Sequence, residues 1–416
     1  MKRAFILRGA IVTVVVCLLA GGQAQAWGPR AMQSITAMSL QMLKADFPNV
    51  FRPGGVVGMN FEKDVMLGAK DGTVVLTDQP LNNEQEVIQA ISNEILLLRE
   101  VRKYGPTSYF AYRMGVLASL TAKAMLPYGF SWTPEEQAIQ KQLQADIDSH
   151  LDKYSFVPGN SRREFIRDGN AYFEHQRTFY VEDKVLIGND YRGGVGYNGF
   201  LKNGGQAYFT RTVQVIADVW NTVLGADVNG YGIAKPSSRA MTWYFVSEIE
   251  YLLKSKKNMF QAEKVYENFE KVNPEIVGSY EKIGDLFYAF DTREAKMRGI
   301  GEWEKAYTMG GPERTRLGKK LSAHYMAEGK EYLEKSGQPG AEDTDLPNAL
   351  NAFEKAMDYD RTSQEAAQQI QETNVAIQER NERLEMTINI ISTGEKVHAE
   401  ADNYRNKGDF ANAIKT

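Results

Sequence analysis

The sequence predicts an all-α protein, and three observations carry that expectation. Thr107 to Gly129 reads TSYFAYRMGVLASLTAKAMLPYG, an almost unbroken apolar run that ends at Pro127 and Gly129. A helix that is apolar on nearly every face is buried on nearly every face, so this run is expected to be the central helix of the first domain. Thr133-Pro134-Glu135-Glu136 has the residues of a helix start, with Thr as N-cap and Pro in the first turn. In the second half, small residues and aromatics recur at the spacing of paired helices.

Residues 1–26 read as a secretory signal. Lys2, Arg3 and Arg8 form a positive start, Ala10 to Ala20 an apolar core too short to span a bilayer, and Ala24-Gln25-Ala26 a small-x-small cleavage site. The expected mature chain begins at Trp27 and is exported to the periplasm or the cell exterior. Cys17, the one cysteine, lies inside this leader. Val16 before it is not the small residue that lipidation needs. The mature chain is therefore expected to form no disulfide and carry no thiolate.

The whole chain has 416 residues, 43% hydrophobic and 25% charged, with a net charge of −4. Removing the three cations of the leader leaves −7. That balance and the lack of any basic block argue against nucleic acid as a partner. No later run is long enough for a transmembrane span.

Helices are expected over 33–47, 84–104, 107–126, 134–154, 161–184 and 206–224. Residues 48–83, punctuated by Pro and Gly, are expected to be irregular, with a short strand over 73–77. The glycine-rich stretch 188–205 lacks the Lys-Ser/Thr pair of a phosphate loop. It is expected to be a long ordered loop with glycines at positive φ. Asp227 to Gly232 resembles a calcium loop but lacks the third ligand and the closing Glu, so a turn is expected.

The central helix resembles the zinc-dependent phospholipase C / P1 nuclease family. Its pattern there is G-x-x-x-H-x-x-x-D-x-x-x-P-x-H, with both His and the Asp as zinc ligands. Gly115 and Pro127 match the frame. Ser119, Lys123 and Gly129 stand where the ligands would be. A second match begins at Trp27-Gly28, right after the expected cleavage site; family members carry W-G-x-x-x-H there, and the His position is Met32.

A hydroxyl, an ammonium, a glycine and a thioether are not the donor set that zinc needs. The resemblance therefore implies a dismantled metal site, with no catalytic residue and no cofactor. The family's further Asp ligand leaves Asp46, Asp64, Asp71 and Asp78 as candidates by position. His150 with Asp146 and Tyr154, and His175 among aromatics, are candidate lone ligands or packed histidines. Asn203-x-x-x-Ala207 falls near the family's last motif with both ligands absent.

The second half resembles tetratricopeptide repeats. Ala262, Tyr266, Phe269 and Pro274 have the spacing of a second repeat helix, and Tyr280, Ile283, Gly284 and Phe287 that of the next first helix. Trp303 and Ala306 continue the pattern. So do Gly329 and Tyr332, then Ala349, Phe353 and Ala356 after a polar insert at 336–345. Tyr404, Gly408 to Phe410 and Ala413 begin another unit. Residues 362–391 depart from the pattern as a long polar helix, a spacer or a coiled-coil arm. The sequence breaks off one residue short of the next aromatic, which predicts a fragment of a longer protein.

The domains expected are thus 27–235, phospholipase C-like with a degenerate site, and 240–416, an α-solenoid of tetratricopeptide-like hairpins. The function these resemblances imply is non-catalytic binding or scaffolding of a protein or peptide. The first domain would bind a phosphate-bearing or lipid-like ligand, with Lys123 making its pocket more cationic. Two rivals stand beside it: an active zinc phosphodiesterase using other ligands, and a structural envelope component that oligomerises through the repeats.

Overall fold

The computed structural model describes residues 27–48, 50, 61–72, 81–154, 163–225, 234–272, 274–338 and 341–415. The chain is all-helical, about 80% helix, with no strand among the described residues. The strand expected at 73–77, Asp78 and the turn at 227–232 lie outside them. Two compact units divide the chain, one ending at Pro274 and the other beginning at Glu275.

The first unit contains α1 (Pro29–Asp46), α2 (Phe61–Asp71), α3 (Glu84–Val101), α4 (Ser108–Met125), α5 (Pro134–Ser149), α6 (Gly169–Gln176), α7 (Tyr180–Arg192), α8 (Leu201–Leu224), α9 (Ser238–Lys254) and α10 (Met259–Lys271). Every residue of α4 from Tyr109 to Met125 is buried, as its composition requires. Helices α1, α2, α3, α8 and α9 pack around it. Thr107 caps α4 by accepting from the Phe110 amide at 3.2 Å. Thr133 caps α5 by accepting from the Glu136 amide at 3.2 Å, and the Glu136 carboxylate accepts in turn from the Trp132 amide, one residue ahead of the cap, at 3.1 Å.

Three expectations are corrected. Residues 48–83 hold a helix, α2, which the count of glycines hid. A Cβ on Gly68 would sit 1.9 Å from the Tyr112 carbonyl, and one on Gly115 would sit 1.9 Å from that of Val65. These glycines let α2 and α4 cross backbone to backbone; they do not break the helices. The stretch 188–205 is no long loop, because α7 runs on to Arg192 and α8 starts at Leu201. Gly188 packs on the Tyr128 hydroxyl and Gly205 on that of Tyr154, while Gly194 and Gly196 take positive φ in the connecting turn. The helix expected over 161–184 is interrupted. Residues 163–168 form no helix as far as Asp168, the N-cap of α6, and a second break at Arg177–Phe179 separates α6 from α7.

The helix pair α9–α10, expected on the far side of a boundary near 235–240, belongs to the first unit. Its Tyr251 ring lies 5.1 Å from that of Tyr112, and Lys256 pairs with Asp64 at 2.7 Å.

The second unit contains α11 (Val277–Tyr288), α12 (Arg293–Met309), α13 (Arg314–Ser336), α14 (Asp345–Tyr359), α15 (Gln364–Asn406) and α16 (Phe410–Lys415). They pair in sequence as α11–α12, α13–α14 and α15–α16. Gly284 admits the Trp303 indole, and Gly329 admits the Phe353 ring. Leu321, Tyr325, Met326 and Ala356 join Trp303 and Phe353 in one core. Helix α15 is 43 residues long, about 65 Å. Past Arg380 it is exposed as far as Ile391. Leu384, Ile388 and Ile391 follow one face and Met386 and Ile390 the opposite one.

Candidate functional site

The five positions read as a dismantled metal site are all inside the first unit's packing. Trp27 is 1% exposed, and its indole N–H donates to the Ala122 carbonyl at 3.0 Å. Its ring meets Phe209 edge-on at 6.2 Å. The next residue, Gly28, abuts the Asp148 carboxylate, which accepts from the Arg30 and Ala31 amides at 3.2 and 2.8 Å. An acid there meets the positive end of α1.

Lys123 is 4% exposed, with its ammonium 5.6 Å from the centre of the Phe130 ring. Burial lowers its pKa to about 8, because a dry surrounding disfavours the charged form. Gly129 lies against the Lys123 carbonyl, where a Cβ would be 1.8 Å away. Its own carbonyl accepts from Gln140 at 2.9 Å. Met32 and Ser119 are buried in α1 and α4. The fold therefore brings Trp27 to Ala122 beside Lys123, and Gly129 to the Lys123 backbone. At position 129 there is no room for a side chain of any kind.

The other candidates have their own partners. Asp64 pairs with Lys256, Asp71 accepts from the Tyr112 hydroxyl at 3.0 Å, and Asp46 lies 3.8 Å from Arg163. His150 stacks on Tyr197 at 3.7 Å and meets the Asp146 carbonyl, while the Asp146 carboxylate takes the Tyr191 hydroxyl at 2.8 Å. Asn203 and Ala207 lie in the first turns of α8. Among the described residues no three His, Cys, Asp or Glu side chains converge to hold a metal.

A cavity of about 760 Å³ opens elsewhere, over the segment 163–175. Arg163, Phe165, Arg167, Tyr172 and His175 line it, and none of the five positions above does. Asp218 of α8 holds its wall, accepting from the Glu164 amide at 3.0 Å and the Tyr172 hydroxyl at 2.9 Å. Burial raises the Asp218 pKa and that of Tyr172. The size suits a small ligand, and its lining mixes guanidinium, aromatic and acidic groups. The one signal in the sequence was Asp218 itself, a lone acid within the apolar run from Val213 to Leu224.

In the second unit, the first helices of successive hairpins are tied by a ladder of ion pairs. Arg316 of α13 forks onto Glu281 of α11, and Lys320 of α13 reaches Asp285 of α11. Lys330 of α13 donates to Glu365 of α15 at 2.7 Å. Each rung joins residues 35 apart. The Tyr288 hydroxyl meets His324 Nδ1 at 3.2 Å, 36 residues on. Glu281 is held below the usual carboxylate range, first by its hydrogen bonds from Arg316. No signal of single residues revealed this ladder, because each partner alone reads as a solvated charge. No protein-family model, curated protein or solved structure matches the chain.

Proposed function

We propose that this is an exported, non-catalytic binding or scaffold protein. Its second unit is a tetratricopeptide-like array that takes up a protein or peptide, and its first is a phospholipase C-like domain that has lost its metal site. The observation that carries this reading is one helix crossing that recurs in successive hairpins, a first-helix glycine against a second-helix aromatic, Gly284 with Trp303 and Gly329 with Phe353. The same crossing carried from one hairpin to the next is what stacked repeats produce, and such stacks present long surfaces to extended partners. The burial of Trp27 and Lys123, and the closed space at Gly129, support a first domain kept for its shape. The leader-like composition of residues 1–26 supports export.

Two measurements test the reading. Metal analysis of the purified chain is expected to find zinc well below one equivalent, and added zinc to leave phosphodiesters and phosphatidylcholine intact. Stoichiometric zinc with hydrolysis would establish a zinc phosphodiesterase instead. Panning a peptide-display library on the full chain is expected to enrich peptides that no longer bind after Arg316→Glu with Lys320→Glu. Enriching none, or only peptides indifferent to that change, sinks the scaffold role.

A further inference from the structure

Two buried acids face the same part of α4, and only one of them has a counter-ion. Glu94 of α3 is fully buried and grips Arg113 of α4 with both oxygens, at 2.8 and 2.6 Å. Arg113 also donates to the Tyr109 hydroxyl at 3.0 Å. Its guanidinium is thereby committed. Glu248 of α9 is 2% exposed, and its carboxyl takes the hydroxyl of Thr107, the cap of α4. Among the described residues no lysine, arginine or histidine lies within ion-pair reach of it.

The groups around Glu248 can be named element by element. Tyr244, one turn back on α9, interacts with it, and Tyr109 and Arg113 of α4 and Glu94 of α3 lie around that phenol, not around the Glu248 carboxyl. Tyr104, after α3, sets its ring on Phe245 at 5.3 Å. Burial pushes the Tyr109 and Tyr244 phenols up, so neither carries charge near neutrality. Glu248 therefore sits between a neutral phenol, Tyr244, and the Thr107 hydroxyl. A carboxylate buried without a cation is costly and takes up a proton instead.

We propose that Glu248 is a pH-sensitive latch: neutral, it holds the α9–α10 hairpin on the cap of α4, and ionised, it releases that hairpin to open locally. Burial raises its pKa from 4.5 to about 7. The folded chain then keeps a proton that the unfolded chain gives up above 4.5. Attachment is fullest at low pH, weakens as pH climbs toward 7 and levels off beyond. The hairpin leads, in sequence, directly into the second unit, so the latch acts on the segment that joins the two. This device does not depend on the binding role.

Hydrogen exchange on the full chain tests it, at about pH 5.5 and about pH 8.5, with rates corrected for intrinsic exchange. In the wild type, opening of amides in α9 is expected to rise about thirtyfold between the two. Glu248→Gln keeps the acceptor for Thr107 and is expected to abolish that rise. Wild-type opening that ignores pH overturns the latch, and so does a Gln variant that keeps the full dependence. Should the Gln variant not fold, the infrared band of a protonated carboxyl decides. It is expected in the wild type and in Asp218→Asn at about pH 6, and to vanish by about pH 8.5 in step with exchange. Loss of the band in Asp218→Asn would assign it to Asp218 and overturn the latch.

Discussion

Gly129 shows how completely the space beside Lys123 is filled. A Cβ there would meet the Lys123 carbonyl at 1.8 Å, and the Leu126 carbonyl at 2.8 Å. Backbone cannot give way as a flexible side chain does, so Gly129→Ala is expected to cost about 1–3 kcal/mol. Urea denaturation measures that loss. Lys123 makes a prediction with a sign. Its folded pKa, lowered to about 8 from 10.5, means the folded chain sheds this proton before the unfolded chain does. Stability tied to this group is therefore lowest below pH 8 and rises as pH climbs from 8 toward 10.5. Lys123→Met keeps the bulk without the charge. It is expected to lose that alkaline rise. Denaturation midpoints across this range show whether it does. The identities of these residues were plain in the sequence; that position 129 is closed to any side chain was not, since it depends on where the chain turns after Pro127.

Helices α2 and α4 are joined by an absence of side chains. Gly68 and Gly115 each face the other helix's carbonyls at distances no Cβ accepts. Gly115→Leu is accordingly expected to separate the pair and lower the melting temperature by well over the few degrees that a surface change produces; circular dichroism at rising temperature reads it. The buried run of α4 was legible because its apolar pattern has no polar face to mislead. Helix α2 was not, because Gly68 looks the same in sequence whether it bends a chain or lets two helices touch. The same ambiguity hid the ends of α7 and α8, where Gly188 and Gly205 serve contact and only Gly194 and Gly196 serve the turn. Helix α15 carries aliphatic side chains on opposite sides, so its sequence reads as polar with no stripe at all.

For the molecule as a whole, the all-helical class could be read from periodicity and caps. The partition could not. The pair α9–α10 has hairpin spacing, yet tyrosine rings and the Lys256–Asp64 ion pair attach it to the first unit, and such contacts between distant segments leave no local trace. The proposed leader gives a direct check. Mass spectrometry of the protein recovered from outside the cytoplasm is expected to find Trp27 as the first residue, and an uncleaved chain confined to the cytoplasm would remove the export proposal.

The charge ladder has one more consequence. Because its rungs tie α13 to α11 on one side and to α15 on the other, the second unit behaves like a ruler whose marks are carboxylates and ammonium or guanidinium groups. Deleting one residue of α13 between Lys320 and Lys330 would rotate the Lys330 mark by about 100° against the two that face α11. Lengthening the connector at 337–344 would leave those two marks aligned, because a longer loop costs little. Natural relatives of this chain should therefore differ in length at the joints or by entire hairpins, and hardly ever by single residues inside a helix.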